Sequence, residues 1–148
     1  MGTVTASEAS AIQKRVLSIC QSRFAMGNET ILICEDEQAI REIMGQFLCN
    51  LGYTILDESS GENACSMLGE QQIKPDLLLT DLSLPGISGI DLANKLRDRW
   101  SDLKVLLMSG SPIEDCREAP SKSRDYAFIA KPFKIKELAV KIREVLDN

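Results

Sequence analysis

The sequence predicts an α/β fold, a doubly wound parallel sheet with helices on both faces. Three observations predict it. Short apolar runs of strand length recur along the chain, each bounded by polar turn residues. Between them lie segments whose apolar residues return every three or four positions, the spacing of a helix buried on one side. The central run, Pro75-Asp76-Leu77-Leu78-Leu79-Thr80-Asp81-Leu82-Ser83-Leu84-Pro85-Gly86, is continuously apolar before it closes on an acid and a Pro-Gly turn. A strand buried on both faces reads that way, and buried parallel strands are joined by right-handed helical crossovers.

Residues 1–28 differ in pattern from the rest of the chain and are expected to form an N-terminal helical extension or linker. Thr5-Ala6-Ser7-Glu8 has the form of a capping box, and Ile12, Val16, Ile19, Cys20 and Phe24 come after it at helical spacing before Met26-Gly27-Asn28. The stripe fits a frayed leader and a helix docking on a partner or on a second copy equally well. From Glu29 to Asn148 the alternation is regular. Thr30–Cys34 is the first strand, and Ile40, Ile43, Met44, Phe47, Leu48 and Leu51 mark a helix that Gly52 ends. Tyr53–Leu56 is the second strand, and Ser59-Ser60-Gly61-Glu62 caps a helix through Ala64, Met67 and Leu68. Asp76–Thr80 is the third strand, and Ser88-Gly89-Ile90-Asp91 opens the next helix. Lys104–Met108 is the fourth strand, and Ser111-Pro112-Ile113-Glu114 starts a short helix that Pro120 stops. Tyr126–Ala130 is the fifth strand, and a last helix uses Ile135, Leu138, Ala139, Ile142, Val145 and Leu146.

Composition narrows the function. A chain of 148 residues that is 44% hydrophobic can bury one core without disulfides or metal. The net charge of −5 argues against direct nucleic-acid binding, which needs a basic face. No apolar run reaches membrane-spanning length and no signal peptide is evident, so a cytoplasmic location is expected. The five cysteines are scattered, as reduced thiols are, with no Cys-x-x-Cys pair. Histidine is absent, which removes Ser-His-Asp and Cys-His catalysis and any phosphohistidine on this chain.

The polar residues at the predicted strand ends converge. Glu35 and Asp36 follow strand one, Asp81 ends strand three, Ser109 follows strand four and Lys131 follows strand five. Carboxyl ends of parallel strands share one edge of a sheet, where α/β proteins place their ligands. Asp81 there can be a nucleophile, a metal ligand or both. Three carboxylates together repel one another, and Mg2+, which takes oxygen ligands, resolves the conflict. Lys131 and the Ser109 hydroxyl suit phosphoryl oxygens. Taken alone, Glu35-Asp36-Glu37 fits an ordinary helix N-terminus equally well.

Residues 30–148 resemble the receiver domain of two-component response regulators. The resemblance rests on Glu35-Asp36, on Asp81-Leu82-Ser83-Leu84-Pro85-Gly86-Ile87-Ser88-Gly89, on Met108-Ser109-Gly110 and on Lys131-Pro132-Phe133, in order and at the appropriate strand ends. It implies the flavodoxin-like (βα)5 sheet with strand order 2-1-3-4-5, here with an extra N-terminal helix. It implies that Asp81 accepts a phosphoryl group from a phosphohistidine, or from a small donor such as acetyl phosphate. Asp36, Asp81 and the Ser83 backbone carbonyl would hold Mg2+, with Glu35 acting mainly through a coordinated water. Lys131 would stabilise the phosphoryl group, and Ser109 and Phe128 would form the switch.

The expected partner is a histidine kinase dimerisation domain or a His-containing phosphotransfer domain, with no contact to nucleic acid or membrane. The resemblance leaves room for a homodimer through the N-terminal helix or the face from strand four to helix five. The phrasing around Glu35 and Ser109 is most similar to receivers of hybrid sensor histidine kinases; a single-domain relay protein is the alternative. Glu35 replaces the more frequent Asp, Phe128 lacks the Tyr hydroxyl, and Pro112 and Pro120 flank an unusually short helix. Two other functions compete. A Mg2+-dependent aspartyl-phosphate phosphatase would need a second Asp where Ser83 stands, and a pseudo-receiver would need none of the acids.

Overall fold

The computed structural model describes residues 26–110 and 126–148. The helix expected after Ser111, and the N-terminal extension as far as residue 25, lie outside the described residues. The five strands are β1 (Thr30–Cys34), β2 (Thr54–Glu58), β3 (Leu77–Asp81), β4 (Lys104–Ser109) and β5 (Ala127–Ala130). The described helices are α1 (Gln38–Asn50), α2 (Gly61–Gln71), α3 (Gly89–Arg99) and α4 (Ile135–Asp147). All strand pairs are parallel and the sheet order is β2-β1-β3-β4-β5, as expected.

Side chains alternate across a strand, so the continuous apolar runs supply two cores at once. Ile31, Ile33, Leu77, Leu79, Leu106 and Met108 face α1 and α4, where Met44, Leu48, Leu138 and Ile142 close the layer. Leu32, Leu78, Val105 and Leu107 face the opposite way, against Ala64 and Leu68 of α2 and Leu92, Ala93 and Leu96 of α3. The central strand β3 is buried at every position from Leu77 to Thr80. Each such leucine stabilises the fold by about 1.5–3 kcal/mol through its burial.

The boundaries differ from expectation where edges and caps intervene. β2 runs on through Asp57 and Glu58, beyond the expected Leu56, because it is the edge strand and those residues still pair with Ile33 and Cys34. Gly52 ends α1 with φ +105°, a conformation that costs other residues a clash at Cβ. The start of α2 is capped by Ser60, whose hydroxyl accepts from Asn63 N at 3.2 Å, so Glu62 is not the acid of a capping box. Ser88 caps α3 as expected, accepting from Asp91 N at 3.1 Å.

The entry to β1 is riveted to the last helix. Arg143 of α4 donates to both carboxylate oxygens of Glu29, at 2.6 and 3.1 Å, and to the Met26 carbonyl. Gly27 N donates to Leu51 O at 3.3 Å.

Candidate functional site

The sheet order turns four strand ends into one site. β1 and β3 are neighbours, although β1 leads next to β2 at the edge, so the chain changes direction of progress between them. That switch point opens a crevice at the carboxyl ends of the strands. Glu35 and Asp36 leave β1 on one side of it and Asp81 ends β3 on the other. One oxygen from each of these three residues lies within 4.8 Å of the others.

Lys131 enters from two strands away. Its backbone N–H donates to Ser109 O at 2.7 Å, and the Lys131-Pro132 peptide bond is cis. Its Nζ lies 2.8 Å from Asp81 Oδ2 and 3.3 Å from Glu35 Oε2. Asp81 Oδ1 accepts from Ser83 N at 3.1 Å. Both oxygens of Asp81 are therefore held, which fixes the plane of the carboxylate. Leu82 N donates to Met108 O at 2.8 Å and Gly89 N to Leu82 O at 2.9 Å, which ties the loop after β3 back to the sheet and to α3.

The electrostatics are those of a site short of positive charge. Glu35 is buried, and its Oε1 has no hydrogen-bond partner. Burial pushes its carboxyl above the ordinary range and Asp81 adds to the push, while Lys131 opposes it. For Lys131, burial works against the ammonium, but Asp81 and Glu35 outweigh that and raise it. Asp36 is exposed beside them. A buried carboxylate oxygen without a donor is costly, and it points to a cation as the missing partner. The all-oxygen donor set fits a hard divalent ion such as Mg2+.

Glu35 and Asp36 lie just before α1, a position compatible with the helix-terminus reading as well as with a metal-binding one. Glu37 occupies the N-cap of α1 without a side-chain cap bond, and the first turn of α1 holds no acid. Ser109 is buried at the end of β4. Phe128 pairs in register with Leu107 and packs, half-buried, on the α2–α3 side of the core. It is part of that core, two residues along β5 from Ala130, which pairs with Ser109.

Two residues escaped the sequence reading. Arg41 donates to the Glu35 carbonyl at 2.6 Å and pairs with Asp57 at 3.4 Å, holding the turn that presents Glu35 and Asp36. A signal existed, since a cation near a helix N-terminus opposes the helix dipole and needs another reason to be there. Glu62 accepts from Ile87 N at 2.9 Å, in the loop after β3. Its resemblance to a capping-box acid concealed that contact.

Beside the site lies an apolar groove of about 450 Å3, lined by Ile40, Ile43, Met44, Pro132, Phe133 and Ile135, with Lys131 as its polar wall. Ile43 is 62% exposed there.

A sequence model of the response regulator receiver domain matches residues 31–143. The sensor kinase CckA of Brucella abortus is 32% identical over 124 residues, covering 82% of this chain and 13% of that protein. The phosphate regulon transcriptional regulatory protein PhoB of Pseudomonas aeruginosa is 35% identical over 123 residues, covering 82% of this chain and 53% of that protein. The chain thus spans about half, or much less, of the curated relatives it matches first. Among solved structures, the response regulator TrrA of Thermotoga maritima in complex with Mg2+-BeF aligns with a TM-score of 0.67 and 28% identity, covering 79% of this chain and 98% of that one. A CheY-like receiver domain protein from Methanospirillum hungatei aligns with a TM-score of 0.72 and 26% identity, covering 82% and 95%.

Proposed function

The chain belongs to the response regulator receiver domain family, and from that premise we propose that Asp81 accepts a phosphoryl group from a phosphohistidine in two-component signalling. The observation that carries the reading is the contact of Lys131 with both Asp81 and Glu35, at 2.8 and 3.3 Å, inside a trio of carboxylates.

In the proposed transfer, a carboxylate oxygen of Asp81 bonds to phosphorus while the P–N bond of the phosphohistidine breaks. The electron pair of that bond leaves with the imidazole nitrogen. Lys131 stabilises charge on the phosphoryl oxygens from the β5 side, and the Ser83 N–H helps hold Asp81 in place. Glu35, Asp36, Asp81 and the Ser83 backbone carbonyl are the groups that would hold Mg2+. The ion, when bound, offsets negative charge on the phosphoryl group. The Ser109 hydroxyl donates to the phosphoryl group after transfer and draws the end of β4 inward, and Phe128 turns toward the space this frees. That is a two-state element biased by a covalent ligand.

The donor docks on the groove beside Lys131. A helix carrying histidine and an apolar face fits Ile40, Ile43, Phe133 and Ile135, and places its histidine next to Lys131 and hence Asp81. The domain turns over no outside substrate: Ser83 stands where an aspartyl-phosphate phosphatase would need its general acid. The complete acid trio and Lys131 weigh against a pseudo-receiver. For the parent protein, the similarity to the sensor kinase CckA supports a hybrid sensor histidine kinase. No helix among the described residues is long and apolar enough to cross a membrane. The free thiols Cys34, Cys49 and Cys65 fit the reducing cytoplasm we propose for it.

The test is incubation with acetyl phosphate and Mg2+ followed by intact-mass measurement of wild type and Asp81→Asn. A phosphoryl adduct on the wild type alone is the expected result. An equal adduct on both would sink the assignment of Asp81.

A further inference from the structure

We infer that Glu62 is a positioning residue: from the first turn of α2 it sets the shape of the loop over residues 82–88, and through it the placement of the Ser83 backbone carbonyl beside Asp81. The inference rests on reading that carbonyl as part of an oxygen donor set for Mg2+.

The loop leaves β3 at Asp81 and joins α3 at Gly89. Near its ends it is tied to β4, to α3 and to Asp81 itself, through Leu82 N, Gly89 N and Ser83 N. Its far side is tied to a neighbouring helix, α2, where Ile87 N donates to Glu62 Oε1 at 2.9 Å. The fit around that bond is close. Gly86 has φ +78°, and a Cβ there would lie 2.3 Å from Glu62 Oε1, so the carboxylate rests against the Gly86 backbone. A Cβ on Gly61 would lie 2.5 Å from Ile87 Cγ1, so α2 meets the loop at two successive residues, 61 and 62. Gly86 supplies the positive φ that other residues avoid, and Gly61 leaves room for the Ile87 side chain.

Glu62 is not needed to start its own helix, because Ser60 supplies the cap. The Ile87 N–H holds its carboxyl below the ordinary range, so it stays an anionic acceptor at neutral pH. A charged acceptor on a backbone N–H makes a short, directional bond. Losing it frees the turn at Gly86 and Ile87, three and four residues from Ser83, without touching any proposed donor atom.

The experiment compares wild type, Glu62→Gln and Glu62→Ala by calorimetric titration with Mg2+. Amide hydrogen exchange at Ile87 in Mg2+-free protein is the second readout. Glu62→Ala should bind Mg2+ about threefold to tenfold more weakly, the range for one lost hydrogen bond. Its rate of phosphorylation by acetyl phosphate at saturating Mg2+ should stay near wild type, and exchange at Ile87 should quicken. Glu62→Gln keeps an oxygen acceptor and should restore both the affinity and the slow exchange. Mg2+ affinity in Glu62→Ala equal to that of wild type overturns the inference, as does Glu62→Gln as impaired as Glu62→Ala. A wild type that binds no Mg2+ overturns the donor-set reading itself, a result distinct from either.

Discussion

Lys131 Nζ, at the end of β5, donates to Asp81 Oδ2 at 2.8 Å across the intervening end of β4. The same ammonium reaches Glu35 Oε2 at 3.3 Å, so one cation serves two carboxylates from two different strands. The site is therefore over-supplied with negative charge in a defined direction, and its responses to mutation, pH and Mg2+ stem from that imbalance.

Lys131→Ala removes the cation and leaves Glu35 and Asp81 facing each other. Phosphorylation by acetyl phosphate should slow by about a hundredfold, the lower end of the range for losing one oriented donor at a developing charge. In Mg2+-free buffer the fold should lose about 1–3 kcal/mol by urea denaturation, since a charged hydrogen bond goes unmade. Lys131→Arg should restore little of the rate, because a planar guanidinium cannot replace a compact ammonium between two carboxylates.

Glu35 predicts a pH dependence opposite to that of an ordinary ion-paired acid. Its carboxyl is raised above the ordinary 4.5 by burial and by Asp81, so the folded state takes up a proton more readily than the unfolded one. Its contribution to stability is then fully present below the unfolded value and is lost as pH rises through the folded value. Glu35→Gln should accordingly raise the Tm of the Mg2+-free protein at pH 7, and the gain should vanish toward pH 4. Mg2+ should stabilise wild type more than the variant. Thermal scans at several pH values, with and without Mg2+, check all three statements.

Asp36 and Glu37 are consecutive exposed acids, but only Asp36 belongs to the trio. Asp36→Ala should weaken Mg2+ binding by at least tenfold and Glu37→Ala by less than about twofold, as surface charges at a distance do. Calorimetric titration of both variants decides it, and comparable losses would count against the proposed ligand set.

The groove beside Lys131 predicts a separation between donors. Ile43→Asp places a charge in its apolar lining while leaving every proposed site residue in place. Transfer from a phosphorylated histidine domain should fall by about tenfold or more, the cost of losing an apolar anchor at an interface centre. Phosphorylation by acetyl phosphate should not change. Parallel rates with the two donors measure this directly, and an equal loss with both would place the groove's role in folding instead.

Much of the fold was legible in the residues because it is a matter of local period. The runs from Ile31 to Cys34 and from Leu77 to Leu79 are buried on both faces, and nothing but continuous apolarity is needed to see that. Gly52 and Ser88 mark helix ends by their own conformational and hydrogen-bonding chemistry. The acids and the lysine at strand ends were visible too, since strand ends are where a parallel sheet exposes charge. The strand order came with the family resemblance and agrees with the structure.

Tertiary structure decided which of these residues touch. That Lys131 reaches both Asp81 and Glu35, that Glu35 Oε1 is buried without a donor, and that Arg41 holds the Glu35 carbonyl depend on partners up to 96 residues apart in sequence. Glu62 shows the limit most sharply. Its position at the start of a helical pattern suited a capping acid, yet Ser60 caps the helix and Glu62 holds Ile87. Local spacing determines what a residue can do within its own turn of chain. Sheet order and loop geometry determine which distant backbone it meets.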